Sequence, residues 1–128
     1  PAGVRSLGEP ILNATEAYYA DYSVELFEAS ISAYHQLYTG GSDVGLDDYL
    51  KAIQATTTSN EELAEKIDKQ FETIKMVSLS DPLTTQITND IDPVLEVFAE
   101  MQRLIVMFKT DLASSMGVVI TYQDNDGD

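Results

Sequence analysis

The sequence predicts an all-α protein: an antiparallel helix bundle of about four helical segments with a short extended C-terminal tail. Three observations predict it. Apolar residues recur at steps of three and four along separate stretches, capping residues and breakers stand between those stretches, and only residues 118–122 read as extended. The 128 residues are assigned to one domain, since domains typically run roughly 100–150 residues.

Residues 1–10 are rich in Pro and Gly and read as a lead-in. Val24, Phe27, Ile31, Tyr34 and Tyr38 then trace one helical face, and with Asn13 as cap and Gly40-Gly41 as stop they predict a helix over 14–39. Another face carries Glu16, Asp21, Glu25 and Glu28. Tyr18, Tyr19, Tyr22 and Leu26 lie beside or opposite the stripe, so this helix is apolar over more than one face and is expected to have a neighbour beyond its own bundle.

Leu46, Tyr49, Leu50 and Ile53 mark a short helix that gives out in Thr56-Thr57-Thr58. Ser59 and Glu62 match a capping box, which opens a helix over 60–77 with Leu63, Ile67, Phe71 and Ile74 as its buried stripe. Glu62 with Lys66 and Glu65 with Lys69 are ion pairs in the favourable orientation. Asp81-Pro82 and Asp92-Pro93 suit a cap followed by the first helical position. They predict a short helical segment from 81 and a long helix over 93–115, with the stripe Val94, Phe98, Met101, Ile105, Phe108 and Leu112. Leu104 and Met107 widen that stripe, and Gly117 closes the helix.

The balance of 22 Asp and Glu against 7 Lys and Arg gives a formal net charge of -15. Such a surface repels phosphate backbones, and the basic residues form no cluster, so nucleic-acid binding is excluded. No stretch reaches the roughly 20 apolar residues that span a bilayer, so no transmembrane segment is expected. The absence of cysteine removes disulfides, zinc-thiolate sites and thiol catalysis. A chain that starts at Pro1 is expected to be a processed form or a fragment.

The one histidine is His35, one position from the apolar stripe. Glu28 lies two turns earlier on the same side, which would let the pair share a metal or a proton; the alternative is a structural histidine held by packing and a hydrogen bond. A bundle di-metal site needs Glu-x-x-His, and position 32 is Ser. Glu61, Glu65, Asp68 and Glu72 share a face that reads as solvated, with Lys66 and Lys69 interleaved. The ending Asp124-Asn125-Asp126-Gly127-Asp128 alternates carboxylates beside a glycine but leaves no room for the closing Glu of a calcium loop. Asn13-Ala14-Thr15 is a glycosylation sequon in a capping position. No phosphate-binding loop, GxSxG or HExxH occurs, so motifs alone identify no enzyme.

Tyr34-His35-Gln36-Leu37-Tyr38-Thr39-Gly40 ends the first long helix and is followed by Gly45-Leu46-Asp47-Asp48-Tyr49-Leu50. The last segment ends in Met116-Gly117-Val118-Val119-Ile120-Thr121-Tyr122 and closes in Asp-Gly-Asp. In this order the chain resembles the C-terminal half of imelysin-like proteins, a bacterial family that includes proteins classed as insulin-cleaving metallopeptidases and periplasmic iron-uptake components. The likeness covers about residues 31–128, and the ending is its most specific part. Around Tyr38 the family pattern is Gln-Asn-x-Tyr-Leu-Gly; Tyr38 and Gly40 match, while Gln36 stands where Asn is usual.

The resemblance implies a helical protein of two halves, exported to the periplasm or anchored in the outer membrane as a lipoprotein. Its function would be metal-linked, in iron acquisition more than in peptide hydrolysis. The alternatives are a zinc metallopeptidase whose GxHxxE motif lies in the missing half, and an acidic helical protein-interaction module. No GxHxxE occurs in this chain, so no cofactor is expected within it, iron or zinc being bound by the complete protein. The expected partners are the N-terminal half of the same protein and envelope iron-uptake components. Gln36, Tyr38 and His35 are the residues expected to wall a pocket.

Overall fold

The computed structural model describes residues 9–57, 59–80 and 82–118. Asp81, the predicted extended segment beyond Val118 and the acidic tail lie outside the described residues, as does most of the lead-in. The helices are α1 (Ser23–Thr39), α2 (Leu46–Ala52), α3 (Leu63–Met76), α4 (Leu83–Asn89) and α5 (Asp92–Met107). The last runs on through a π turn, Phe108–Leu112, into a final turn, Ala113–Ser115. Among the described residues there is no strand, only an isolated bridge between Thr56 and Glu62. The all-α expectation holds.

Helix α3 is the centre of the bundle. Leu63, Ile67, Phe71 and Ile74 are all almost fully buried, as the stripe predicts, together with Leu50 of α2. Each such side chain contributes about 1.5–3 kcal/mol. Helix α1 runs antiparallel to α3, because Tyr38 meets Ala64 while His35, a turn earlier, meets Asp68 and Lys75. Helix α5 also packs on α3, where Gln70 meets Glu100. One turn earlier on α3, Lys66 shares a surface hollow with Arg103 and Met107, so this pair is antiparallel too. Helices α1 and α5 therefore run in the same direction on α3.

Local chemistry moves several predicted boundaries. The first helix starts at Ser23, not at 14, and Asn13 lies inside a short 3-10 turn, Leu12–Ala14. Ala17 and Asp21 hold positive φ, and two hydroxyls bond backbone carbonyls instead of leaving them to a helix: Thr15 donates to Leu12 and Ser23 to Glu16. The Ser59/Glu62 capping box does not form: α3 starts at Leu63 with Glu62 at its N-cap and no side-chain bond there, while ahead of the helix Thr57 Oγ1 accepts the Ser59 and Glu61 amides at 3.3 and 3.2 Å. Lys66 accordingly pairs with Glu61 at 3.0 Å, while Lys69 does reach Glu65 at 3.6 Å. Pro82 sits at the N-cap of α4 rather than inside it, and Ile91 caps α5 with Asp92 as its first residue.

The buried line of α5 is also rotated from the predicted stripe. Val97, Glu100, Leu104 and Leu112 face the core, while Phe98 and Ile105 are left partly in solvent. Counting apolar residues centres the stripe on their mean, but a glutamate is part of the buried line. Gln70 Nε2 donates to the Glu100 carbonyl and carboxylate at 2.9 and 2.8 Å, and Arg103 bonds the other carboxylate oxygen. These donors hold the Glu100 carboxyl below the usual carboxylate range, the Gln70 bond foremost.

The α1 to α2 connection is a tight turn. Gly40 caps α1 in the left-handed conformation, as predicted, and lies back to back with Gly45. A Cβ on Gly45 would stand 2.2 Å from the Thr39 carbonyl carbon, so the two strands of the loop touch through glycine. The Asp48 carboxylate then accepts the Gly45 amide at 3.2 Å and starts α2.

Candidate functional site

The predicted site residues sit on the last two turns of α1, where two different surfaces meet. On one side His35 lies flat on Phe71, with ring centroids 4.7 Å apart and planes at 14°. Its Nε2 lies 2.6 Å from Asp68 Oδ1, and its Nδ1 lies 2.5 Å from Lys75 Nζ and 3.3 Å from Glu72 Oε1. A neutral ring here carries its proton on Nε2, toward Asp68, and accepts from the Lys75 ammonium at Nδ1. Glu28, the partner expected from the sequence, is not part of this set.

This arrangement does not fit a metal centre. A metal would need a free imidazole lone pair, and the lone pair at Nδ1 is taken by an ammonium whose positive charge stands where the ion would bind. Among the described residues, no group of three or more His, Asp or Glu side chains is disposed to hold a metal ion. Asp68 and Glu72 stand half exposed on the face read as solvated, and in addition they partner His35. Their signal in the sequence is the spacing of Asp68, Glu72 and Lys75, at i, i+4 and i+7, which brackets Phe71 on the side that meets α1.

On the other side of α1 is an apolar groove of about 570 Å³, between α1 and α5. Its floor is Phe71 and Tyr38; Ile31, Tyr34 and Leu37 form one wall, and Met101, Leu104, Ile105 and Phe108 the other. Tyr38 packs edge-on against Phe108 at 6.1 Å and donates its hydroxyl to the Ala64 carbonyl at 3.1 Å. Burial, and then the carboxylates Asp47, Asp68 and Glu62, push the phenol well above its ordinary range and keep it a donor. Tyr38 thus walls the groove with its ring, while its oxygen is committed to the fold. Gln36 is exposed on a third side of the helix, away from both surfaces.

Tyr34, predicted in the buried stripe, is 62% exposed at the groove's mouth, and Leu37 beside it is 78% exposed. Neither can be covered by α3, which is occupied along the Ile31 and Tyr38 line. Further round α1, Leu26, Ala29, Ser30, Ala33 and Leu37 form a face without charge at helical spacing, and apart from half-buried Leu26 they are open to solvent. Ser30 Oγ donates to the Leu26 carbonyl at 2.7 Å, so even its hydroxyl is turned into the helix. Among the described residues no helix is long and apolar enough to cross a membrane, so this face is not explained by a bilayer span.

Comparison with protein-family models, curated proteins and solved structures finds no match for this chain.

Proposed function

We propose that this chain is the C-terminal helical half of an imelysin-like bacterial envelope protein with a metal-linked role, in iron acquisition rather than peptide hydrolysis. In this reading it serves as the wall against which a preceding half is held. The observation that carries it is the second, charge-free face of α1, Leu26 to Leu37, on a helix whose first face is already filled by α2 and α3. A protein with a net charge of -15 keeps such a face uncharged where another body packs on it. The order of the end of α1, Gly45 and the C-terminal Gly117 segment supports the family reading.

The test is to compare the complete gene product with this chain. The complete protein is expected to bind ferrous or ferric iron, or zinc, in calorimetry, and this chain to show no sub-micromolar stoichiometric binding. Amide exchange along α1 is expected to slow in the complete protein. Tight binding by this chain that disappears in His35→Ala would overturn the proposal. Peptide cleavage that is lost on chelation and restored by zinc would replace it with the metallopeptidase reading.

A further inference from the structure

We propose that His35 is a pH-sensitive switch of the charges between α1 and α3: the neutral ring holds Lys75 at Nδ1, and protonation exchanges Lys75 for Glu72 and turns the released ammonium toward Glu28. The geometry supplies the parts. The ring is clamped by the Phe71 stack and by Asp68 at Nε2, and a parallel aromatic face suits the charged ring as well as the neutral one. Both protonation states keep the Nε2 proton on Asp68. All of the change therefore falls on Nδ1, which is a lone pair in one state and an N–H in the other.

At Nδ1 the two states need opposite partners. The lone pair accepts from the Lys75 ammonium at 2.5 Å, whereas an N–H there would meet another donor and a like charge at the same distance. The Glu72 carboxylate already stands 3.3 Å from Nδ1 and 2.9 Å from Lys75 Nζ, so a small side-chain rotation passes it from the ammonium to the ring. Lys75 then has a second place to go. With Glu28 it lines a hollow of about 390 Å³ between α1 and α3, whose apolar walls are Phe27, Ile31, Ile74, Val77 and Leu79. Antiparallel packing sets the two opposite each other: His35 meets Asp68, Glu28 stands seven residues before the one and Lys75 seven after the other. An ion pair across the hollow bars it at acidic pH, and the imidazole draws the bar back at neutral pH. The charges of the other helices beside α1 are placed elsewhere. On α2, Asp47 and Asp48 pair with Lys51, and Lys109 of α5 lies at the groove on the other side of α1.

A single histidine makes the test direct, because one ring titrates in the nitrogen and proton magnetic resonance spectra of the full chain. Nε2 is expected to carry the proton of the neutral ring and Nδ1 to gain one between about pH 8 and pH 5, with the Lys75 Nζ signal shifting at the same midpoint. The Lys75 step is expected to vanish in His35→Asn. A double-mutant cycle of Glu28→Gln and Lys75→Met in urea unfolding is expected to show a coupling of about two- to fivefold in the unfolding constant near pH 5 and none near pH 8. A neutral ring protonated at Nδ1, a Lys75 signal without a step, or a step that survives in His35→Asn overturns the proposal. Coupling that is equal at the two pH values overturns it as well. The wild-type spectra and the cycle decide the matter even where His35→Asn fails to fold.

Discussion

The two sides of Phe71 make an instructive contrast. Toward α3's own stripe and α2, its neighbours Leu63, Ile67, Ile74 and Leu50 are sealed from water. Toward the gap between α1 and α5, residues just as apolar stand in solvent, Leu37 and Tyr34 at the rim and Ile105 opposite. Composition and helical spacing are the same on both sides. What differs is the number of elements available: α3 has α1, α2 and α5 around it, whereas α1 and α5 share only α3. An apolar stripe states that a face seeks cover, and only the count and placement of the other helices decide whether it receives it.

The contrast can be sharpened by substitution. Phe71→Ala is expected to cost about 3–5 kcal/mol in urea unfolding, because its cavity opens at the junction of three helices. Leu37→Ala, at the groove's rim, is expected to cost less than about 1 kcal/mol. Equal costs would mean that the rim is as covered as the core. The glycine pair gives the next largest effect. Gly45→Ala forces a Cβ onto backbone and is expected to cost about 2–3 kcal/mol, while Gly41→Ala, at φ +64° with open space around it, pays only the left-handed conformation, about 1 kcal/mol. Thermal melts of the two variants compare them.

Tyr38 touches both sides of the contrast. Tyr38→Phe keeps the ring in the groove wall but leaves the Ala64 carbonyl without its donor, with an expected loss of about 1–2 kcal/mol; Tyr34→Phe, at the open mouth, is expected to change stability by less than about 0.5 kcal/mol. The smallest effect concerns pH. The Glu100 carboxyl is lowered by Gln70 and Arg103, so its contribution is present above the ordinary glutamate pKa of about 4.3 and is lost as pH falls through the lower folded value. Glu100→Gln is therefore expected to flatten the acid side of the stability profile and leave its neutral side little changed in slope. An unchanged acid limb would show that the Gln70 and Arg103 bonds do not distinguish the folded from the unfolded carboxylate.

The α3 stripe, the glycine stop of α1 and the closure of α5 at Gly117 were legible in the sequence because each depends on residues a few positions apart. Period, capping and φ preference act locally and need no knowledge of the fold. The start of α1 was not legible, since Asn13 was a sound cap and only the hydroxyl bonds of Thr15 and Ser23 with the positive φ of Ala17 and Asp21 set it aside. The surroundings of His35 were half legible. The histidine was singled out, but Asp68, Glu72 and Lys75 lie more than thirty residues away and read by themselves as a charged face. That α5 buries Glu100 and leaves Ile105 partly in the open was decided by α3, because Gln70 offers a buried carboxylate its hydrogen bonds and Ile105 borders the groove toward α1 and not α3. Local sequence determined which segments coil and where they stop; the placement of helices against α3 determined which of their apolar faces became core and which became groove, because burial is a property of neighbours and not of a residue.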